Sequence, residues 1–176
     1  MKPWIAILLV VPALAAAGCA TDGDDMSAPS SSSATGSSPD LDGVVLEIIH
    51  TGAGEDHRLD ATVRNTGLRI VYFLWVPQCG LEPWHDGMVG PGGKAVQPRE
   101  PEAHCLPCGW DALSPGESLS KSFEWDERLW DFDEERPYAA PDGRYVWTVT
   151  FQAEPDEDDV CGGQRAVSAS IELHVD

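Results

Sequence analysis

Basic residues are scarce in this sequence of 176 residues. It has 11 Lys and Arg against 30 Asp and Glu, which gives a formal net charge of −19 and a pI near 4.3. A protein that binds DNA or RNA needs a basic surface to neutralise phosphates, and a protein held on an anionic bilayer by charge needs one too. The composition therefore argues against both classes, and we expect no nucleic-acid partner.

The sequence also lacks the motifs of common enzyme classes. Ser114 does not stand in a G-x-S-x-G frame, and there is no phosphate loop and no dinucleotide-binding fingerprint. The many carboxylates occur in clusters at predicted turns rather than as a pair in an evident cleft. We therefore predict a protein that is not an enzyme and needs no cofactor.

The first eighteen residues have the features of an export signal. Lys2 is the only charged residue before Asp22, and the chain from Trp4 to Ala17 is apolar or small. A membrane-spanning helix needs roughly 20 apolar residues, and this run is shorter. A charged start, a short apolar core and a small-residue end predict a secretory signal peptide over residues 1–18.

Cys19 has two interpretations. The run LAAAGC that ends at this residue resembles a lipobox, in which the cysteine receives diacylglycerol and becomes the first residue of the mature chain. Ordinary cleavage after Ala15 or Ala17 would also follow a small-x-small pattern. Ala20 is not the Asp that retains lipoproteins at an inner membrane, so the resemblance points to the outer membrane if the cell has two.

The segment after Cys19 favours the lipoprotein interpretation. Residues 20–40 contain seven Ser and almost nothing large and apolar, so they bury too little surface to offset the entropy of ordering. We therefore predict a lipidated, disordered Ser/Asp-rich linker over residues 19–40 and one folded domain over residues 41–176.

Four further cysteines, an even number in an exported chain, predict two disulfides. Cys105 and Cys108 could bridge each other, but that ring is very small. The alternative that we favour joins each of them outward to Cys79 and Cys161, which would close longer loops and stabilise the domain more. The sequence does not choose among the three pairings.

The same residues raise the possibility of redox or metal chemistry. A Cys105-x-x-Cys108 pair near a βαβ pattern would suggest a thioredoxin-like site, but no such pattern is present. A zinc site could use His104 with the cysteines. Type-1 copper is excluded because the next histidine after Cys105 is His174 and no Met follows. His85 and Met88 could bind copper(I), but two such residues are weak support, and we predict no metal site.

The body of the chain has the alternating pattern of β-strands, separated by Pro- and Gly-containing turns. No window has convincing helical periodicity, and the best candidate for one or two helical turns is the segment 126–135. The apolar run 69–76 predicts a central core strand. The predicted strands are Val44–Ile49, Leu59–Arg64, Arg69–Val76, Ser118–Trp125, Arg144–Phe151 and Arg165–Val175.

These strands and turns resemble a known family. The runs LDATVRNTG, LSPGESLSKSFEW and PDGRYVWTVTF, with an apolar strand after the first, look like the BsuPI-type intracellular proteinase inhibitor domain. The resemblance covers about residues 59–152. It implies an all-β, antiparallel immunoglobulin-like sandwich and, in one branch of the family, inhibition of a serine protease. The residues that carry it are Asn65, Thr66, Gly67, Leu113, Pro115, Gly116, Glu117, Trp125, Gly143 and Tyr145.

The segment 77–110 is predicted to be a long loop that could bind a partner. It is rich in Pro and Gly and contains Trp84, His85 and Trp110. The alternative is that the two tryptophans only cover one end of the core. The carboxylates of Glu154–Asp159 could attract calcium, but their spacing does not match an EF-hand, so a solvated acidic turn is the simpler interpretation.

Together these features predict an exported, lipid-anchored, non-catalytic module of the cell envelope. Its membrane contact would be the N-terminal lipid, and its partner would be an envelope protein or a protease, bound through the 77–110 loop. Two alternatives stay open, a protease inhibitor of the BsuPI type and a lipoprotein that handles copper or zinc.

Overall fold

Alternating apolar side chains along long strands produce two four-stranded antiparallel sheets. The computed structural model describes residues 30–53, 55–76, 82–99, 109–160 and 165–176. In chain order the strands are β1 (Ser30–Ser37), β2 (Val44–Ala53), β3 (Asp56–Asn65), β4 (Val71–Leu74), β5 (Trp84–Val89), β6 (Ala95–Val96), β7 (Trp110–Leu113), β8 (Ser118–Trp125), β9 (Arg128–Asp131), β10 (Arg136–Ala139), β11 (Gly143–Gln152) and β12 (Ala166–Val175).

The two large sheets form a sandwich. The first has the strand order β1-β2-β3-β8 and the second the order β12-β11-β5-β6. Two smaller antiparallel pairs, β4 with β7 and β9 with β10, complete the described structure. The prediction of an all-β antiparallel sandwich is therefore confirmed. No helix among the described residues is long and apolar enough to cross a membrane.

One hydrophobic core lies between the two large sheets. Strand β11 contributes Tyr145, Trp147 and Phe151, which are fully buried. The ring of Trp125 on β8 lies 5.3 Å from that of Tyr145 and 6.3 Å from that of Trp147, centroid to centroid. These contacts join the two sheets, and every second residue of the long strands adds to the same core.

Most of the predicted strands are present. Strand β8 has the predicted bounds, and β2, β3, β11 and β12 each contain or overlap the predicted segment. The segment 69–76 differs, since only Val71–Leu74 is a strand and it pairs with β7 rather than lying inside a large sheet. Val71 and Phe73 face the core and are buried, whereas Tyr72 and Leu74 on the other side are only partly covered.

The segment 77–110 is not one long loop. It contains β5, which lies inside the second sheet between β11 and β6, and the short strand β6. The sequence WHDGMV does not predict a strand, because one of its inward positions, between Trp84 and Met88, is the charged Asp86. The segment 126–135, the best candidate for one or two helical turns, contains β9 and the turn of the hairpin β9–β10 instead, with one buried side chain, Leu129.

The N-terminal side of the domain also differs from the predicted boundary. Residues 30–37, which the sequence predicts to be linker, form β1 and pair with β2 along their whole length. A strand at a sheet edge gains backbone hydrogen bonds without burying large side chains. Position 36 requires a glycine, because a Cβ there would come within 1.9 Å of the carbonyl oxygen of Ser168 on β12.

Candidate functional site

The outer side of the β4–β7 pair carries an exposed apolar surface, here called the aromatic face, formed by Tyr72, Leu74, Trp110 and Ala112. The inner side of the same pair packs into the core through Val71, Phe73 and Leu113. Trp110 is 49 % exposed, and its ring meets that of Tyr72 edge-on at 5.3 Å. The aromatic face therefore presents a large ring in a fixed arrangement to solvent.

A buried asparagine attaches the aromatic face to the sandwich. Asn65, at the end of β3, is completely buried, and its Nδ2 donates to the carbonyl oxygens of Arg69 at 2.7 Å and of Leu113 at 2.8 Å. The backbone of Tyr72 exchanges two 2.7 Å hydrogen bonds with Glu154. Both strands of the pair are thus fixed to the rigid sheets, which limits the entropy lost when a partner binds.

Carboxylates border the aromatic face. The 3-10 turn Glu157–Asp159 lies against β4, and the side chain of Asp156 accepts a hydrogen bond from the Asp158 N–H. On β7, Asp111 lies opposite Phe73 on the inner side of the pair, and its Oδ1 accepts a 2.8 Å bond from the Ala112 N–H. Since that N–H already has an acceptor, a partner is better placed to cover the side chains of this face than to add a strand to β7.

A cleft with a mixed polar and apolar lining lies at the same end of the sandwich. It has a volume of about 630 Å³ and lies between residues 39–43 and 66–71, with Pro155 at its border. Leu68 is 96 % exposed there, and Ile70 is also exposed. A side chain as apolar as Leu68 gains from burial against a partner, so this end of the domain has the composition of a binding surface.

The three binding residues predicted from the sequence do not form one site. Trp84 is buried, with its ring 4.8 Å from that of Phe151, so it belongs to the core. His85 points to the opposite side of β5, where it is exposed. Its Nε2 lies 3.1 Å from Gln152 Oε1. Trp110 alone lies on the aromatic face. Its partner Tyr72 was missed because it stands in a continuous apolar run that predicts a fully buried strand.

Most of the residues predicted to carry lipid, form disulfides or bind metal lie outside the part of the chain that the structure describes. Cys19, Cys79, Cys105, Cys108, Cys161 and His104 lie outside the described residues. His85 and Met88 point to opposite sides of β5, and Met88 is buried, so they cannot share a copper ion. Among the described residues no group of three or more His, Cys, Asp or Glu could hold a metal ion.

A second polar cluster lies at the other end of the sandwich. His50 and His57 are buried with their Nε2 and Nδ1 atoms 3.0 Å apart, and His57 Nε2 lies 2.9 Å from Glu127 Oε1. Since His57 Nε2–H donates to the carboxylate, His57 Nδ1 accepts from His50 Nε2–H when both rings are neutral. Burial, and secondly the proximity of His57, lower the pKa of His50.

This histidine pair borders a cleft of mixed charge. The cleft has a volume of about 660 Å³, with His57 and Trp125 at its wall and Arg58 and Arg99 among carboxylates around it. Arg58 is paired with Asp60, and Arg99 with Asp86, at N–O distances of 2.9 and 2.7 Å. Because these cations already have anionic partners within the domain, the cleft offers less to a ligand than the aromatic face does.

Comparison with known proteins adds no relative. No family model matches this chain, and no curated protein matches it either. The resemblance to the BsuPI-type domain therefore stays a prediction from the residues quoted above, and the function must be argued from the aromatic face itself.

Proposed function

We propose that the protein is an exported, lipid-anchored, non-catalytic module of the cell envelope that binds another protein through the aromatic face. The observation that supports this most is the half-exposed Trp110 on a strand pair fixed by Asn65 and Glu154. Aromatic residues with rigid support are the side chains that most often dominate the energy of protein–protein contacts. Of the 77–110 segment predicted to bind a partner, only its last residue, Trp110, belongs to the proposed contact.

Export and lipid attachment form the first half of the proposal. They rest on the signal peptide at residues 1–18 and on Cys19. In a bacterial cell we expect the full chain to incorporate radiolabelled palmitate and to fractionate with membranes, the outer one where there are two. The Cys19→Ser variant should be exported without the label. Labelling that persists in this variant would contradict lipid attachment at Cys19.

Protein binding forms the second half, and site-directed photo-crosslinking tests it. A benzophenone amino acid placed at position 110 of the full chain should yield a protein adduct in the intact cell. The matched control places it at Tyr138, an exposed aromatic residue on β10. Adducts of equal yield from both positions, or none from position 110, would contradict the aromatic face as the binding surface.

Protease inhibition is a second candidate, favoured by the hairpin β9–β10. Phe132 at its tip is 62 % exposed. The turn is ordered by Asp131 Oδ1, which accepts hydrogen bonds from the N–H groups of Asp133 at 2.9 Å and Glu134 at 3.1 Å. An exposed side chain on a pre-ordered turn suits the cleft of a protease. Stoichiometric inhibition of a serine protease by the full chain, lost in Phe132→Ala, would favour this candidate over the first.

A further inference from the structure

The chain enters the sandwich at one of its two ends, where strand β1 begins. Ser30 pairs with Gly52 and Ser37 with Val45, so β1 begins beside the β2–β3 turn. At the opposite end of the same sheet, Val44 pairs with Asn65. We call the end at which β1 begins the N-terminal end and the opposite one the far end.

The aromatic face belongs to the far end. Asn65 donates to Leu113 on β7, and Tyr72 on β4 pairs with Glu154, just after the last residue of β11. Strand β11 starts at the N-terminal end, because Tyr145 near its beginning packs on Trp125, the partner of His57 beside the β2–β3 turn. Both sheets therefore place the aromatic face at the end remote from Ser30.

The point at which the preceding chain joins β1 sets which end of the domain lies nearer to an anchoring membrane. If Cys19 carries the lipid, ten residues, 20–29, separate it from Ser30. Eleven steps of extended chain span at most about 40 Å. The ten-residue strands of the sandwich are themselves about 33 Å long. The far end thus lies one strand length away from the point where the tether joins the domain, and the domain must turn over on the tether before the aromatic face can reach the bilayer.

The charge of the far end points the same way. Asp156 and the exposed carboxylates of Glu157–Asp159 lie beside β4, the strand that contributes Tyr72 to the aromatic face. Of the cations at this end, Arg165 forms an ion pair with Glu154 at 3.5 Å, and Arg69 lies in the cleft that precedes β4. Carboxylates around an apolar centre repel an anionic lipid surface and attract Lys or Arg on a partner. Such complementarity favours a partner whose apolar anchor is flanked by cations.

We propose that the aromatic face binds a basic polypeptide surface, presented on the side of the domain away from the anchoring membrane. This inference rests on the proposed function and names the chemistry of its partner. Trp110 and Tyr72 supply the apolar contact, and the carboxylates at 156–159 supply the electrostatic selection. The bilayer is not the occupant of this surface.

Selection from a random-peptide phage library tests the proposal without a known partner. The bait is the full chain with Cys19→Ser, and the library is first depleted on the same chain carrying Trp110→Ala. We expect the surviving peptides to contain Lys or Arg beside an aromatic or aliphatic residue. Their affinity should fall at least tenfold on Trp110→Ala, stay within twofold on Tyr138→Ala, and decrease as salt is raised.

A variant that combines Asp156→Asn, Glu157→Gln, Asp158→Asn and Asp159→Asn separates charge from apolar contact. It should keep weak binding of the same peptides but lose most of the salt dependence. Acidic or neutral peptides, or a failure to recover any peptide that distinguishes Trp110→Ala, would overturn the proposal. So would Trp110-dependent cosedimentation of the Cys19→Ser chain with phosphatidylglycerol vesicles.

These outcomes are distinguishable from failure of the proposed function. A protein adduct from the benzophenone at position 110, together with peptides that are not basic, would remove only the proposed partner chemistry. A lipid adduct from that position would overturn the membrane-distal placement. No adduct at all from position 110 would remove the proposed function and, with it, this inference.

Discussion

The buried aromatic cluster of Trp125, Tyr145 and Trp147 and the exposed aromatic face use the same residue types in different surroundings. In the cluster every polar tip is bonded within the domain. Trp125 Nε1 donates to the Arg128 carbonyl at 2.7 Å, Tyr145 Oη to the Pro141 carbonyl at 2.8 Å and Trp147 Nε1 to Asp86 Oδ2 at 3.1 Å.

On the aromatic face the side chains have fewer partners. Trp110 and Tyr72 contact each other edge-on, and neither ring is packed between the two large sheets. The cluster therefore holds the sandwich together, whereas the aromatic face retains apolar area that the other described residues leave uncovered. Two predictions test this division, and two smaller ones test β1 and the histidine pair, in order of decreasing expected effect.

Truncation of the same residue type in the two regions should have very different consequences. Trp147→Ala leaves a cavity between the sheets and should lower the free energy of unfolding by about 3–5 kcal/mol. Trp110→Ala, the matched control, removes a half-exposed ring and should lower it by less than about 1 kcal/mol. Urea unfolding of the two full-length variants measures both. Equal losses would mean that Trp110 also serves the core.

Asn65 joins the two regions, and its loss should affect both. Asn65→Ala leaves the carbonyls of Arg69 and Leu113 without their donor and should cost about 2–3 kcal/mol in urea unfolding. It should also reduce photo-crosslinking from position 110, because β4 and β7 lose their attachment. Thr62→Ala is the control, since its hydroxyl bonds to Ser120 on the exposed side of the same sheet. A crosslink yield unchanged in Asn65→Ala would show that the aromatic face is positioned without this residue.

Gly36 tests whether β1 belongs to the domain. A Cβ at this position would clash with the Ser168 carbonyl on β12, so Gly36→Ala should cost about 1–3 kcal/mol and speed amide exchange in β1. Gly87→Ala provides the comparison, because a Cβ there meets no atom within 4 Å. Hydrogen exchange read by mass spectrometry locates the change. If β1 exchanges at the same rate in both variants, the close approach to β12 does not hold this strand.

The histidine pair should give the domain a modest pH dependence. Because burial lowers the pKa of His50, the folded state favours the neutral ring, and protonation favours the unfolded state. The stabilisation is present above the ordinary value of about 6.5 and is lost as the pH falls through the lower folded pKa. His50→Gln should flatten the decline of unfolding free energy from pH 7 downward, whereas His174→Gln, at an exposed histidine, should leave it unchanged. Parallel curves for wild type and His50→Gln would contradict this assignment.

Strands with clean alternation could be predicted from the sequence, and strands with mixed positions could not. Residues 118–125 alternate, and the sequence predicts them with the observed bounds, because one face of the sheet packs on the core and the other faces solvent. Strand β5 was missed because Asp86 takes an inward position, where Trp147 Nε1 and Arg99 bond to its carboxylate. That compensation comes from distant residues and leaves no local pattern. Strand β1 was missed because its order comes from the backbone of β2.

By itself the sequence determined the acidic character, the all-β antiparallel class, most of the long strands and the presence of Trp110 in an unusual segment. These depend on composition and on local alternation, which neighbouring residues carry. Only the tertiary structure decided that Trp84 is buried while Trp110 is exposed, and that Tyr72 lies beside Trp110. The same tryptophan side chain becomes core or surface according to which strands pair across the sandwich, and pairing between residues far apart in the chain is fixed by packing.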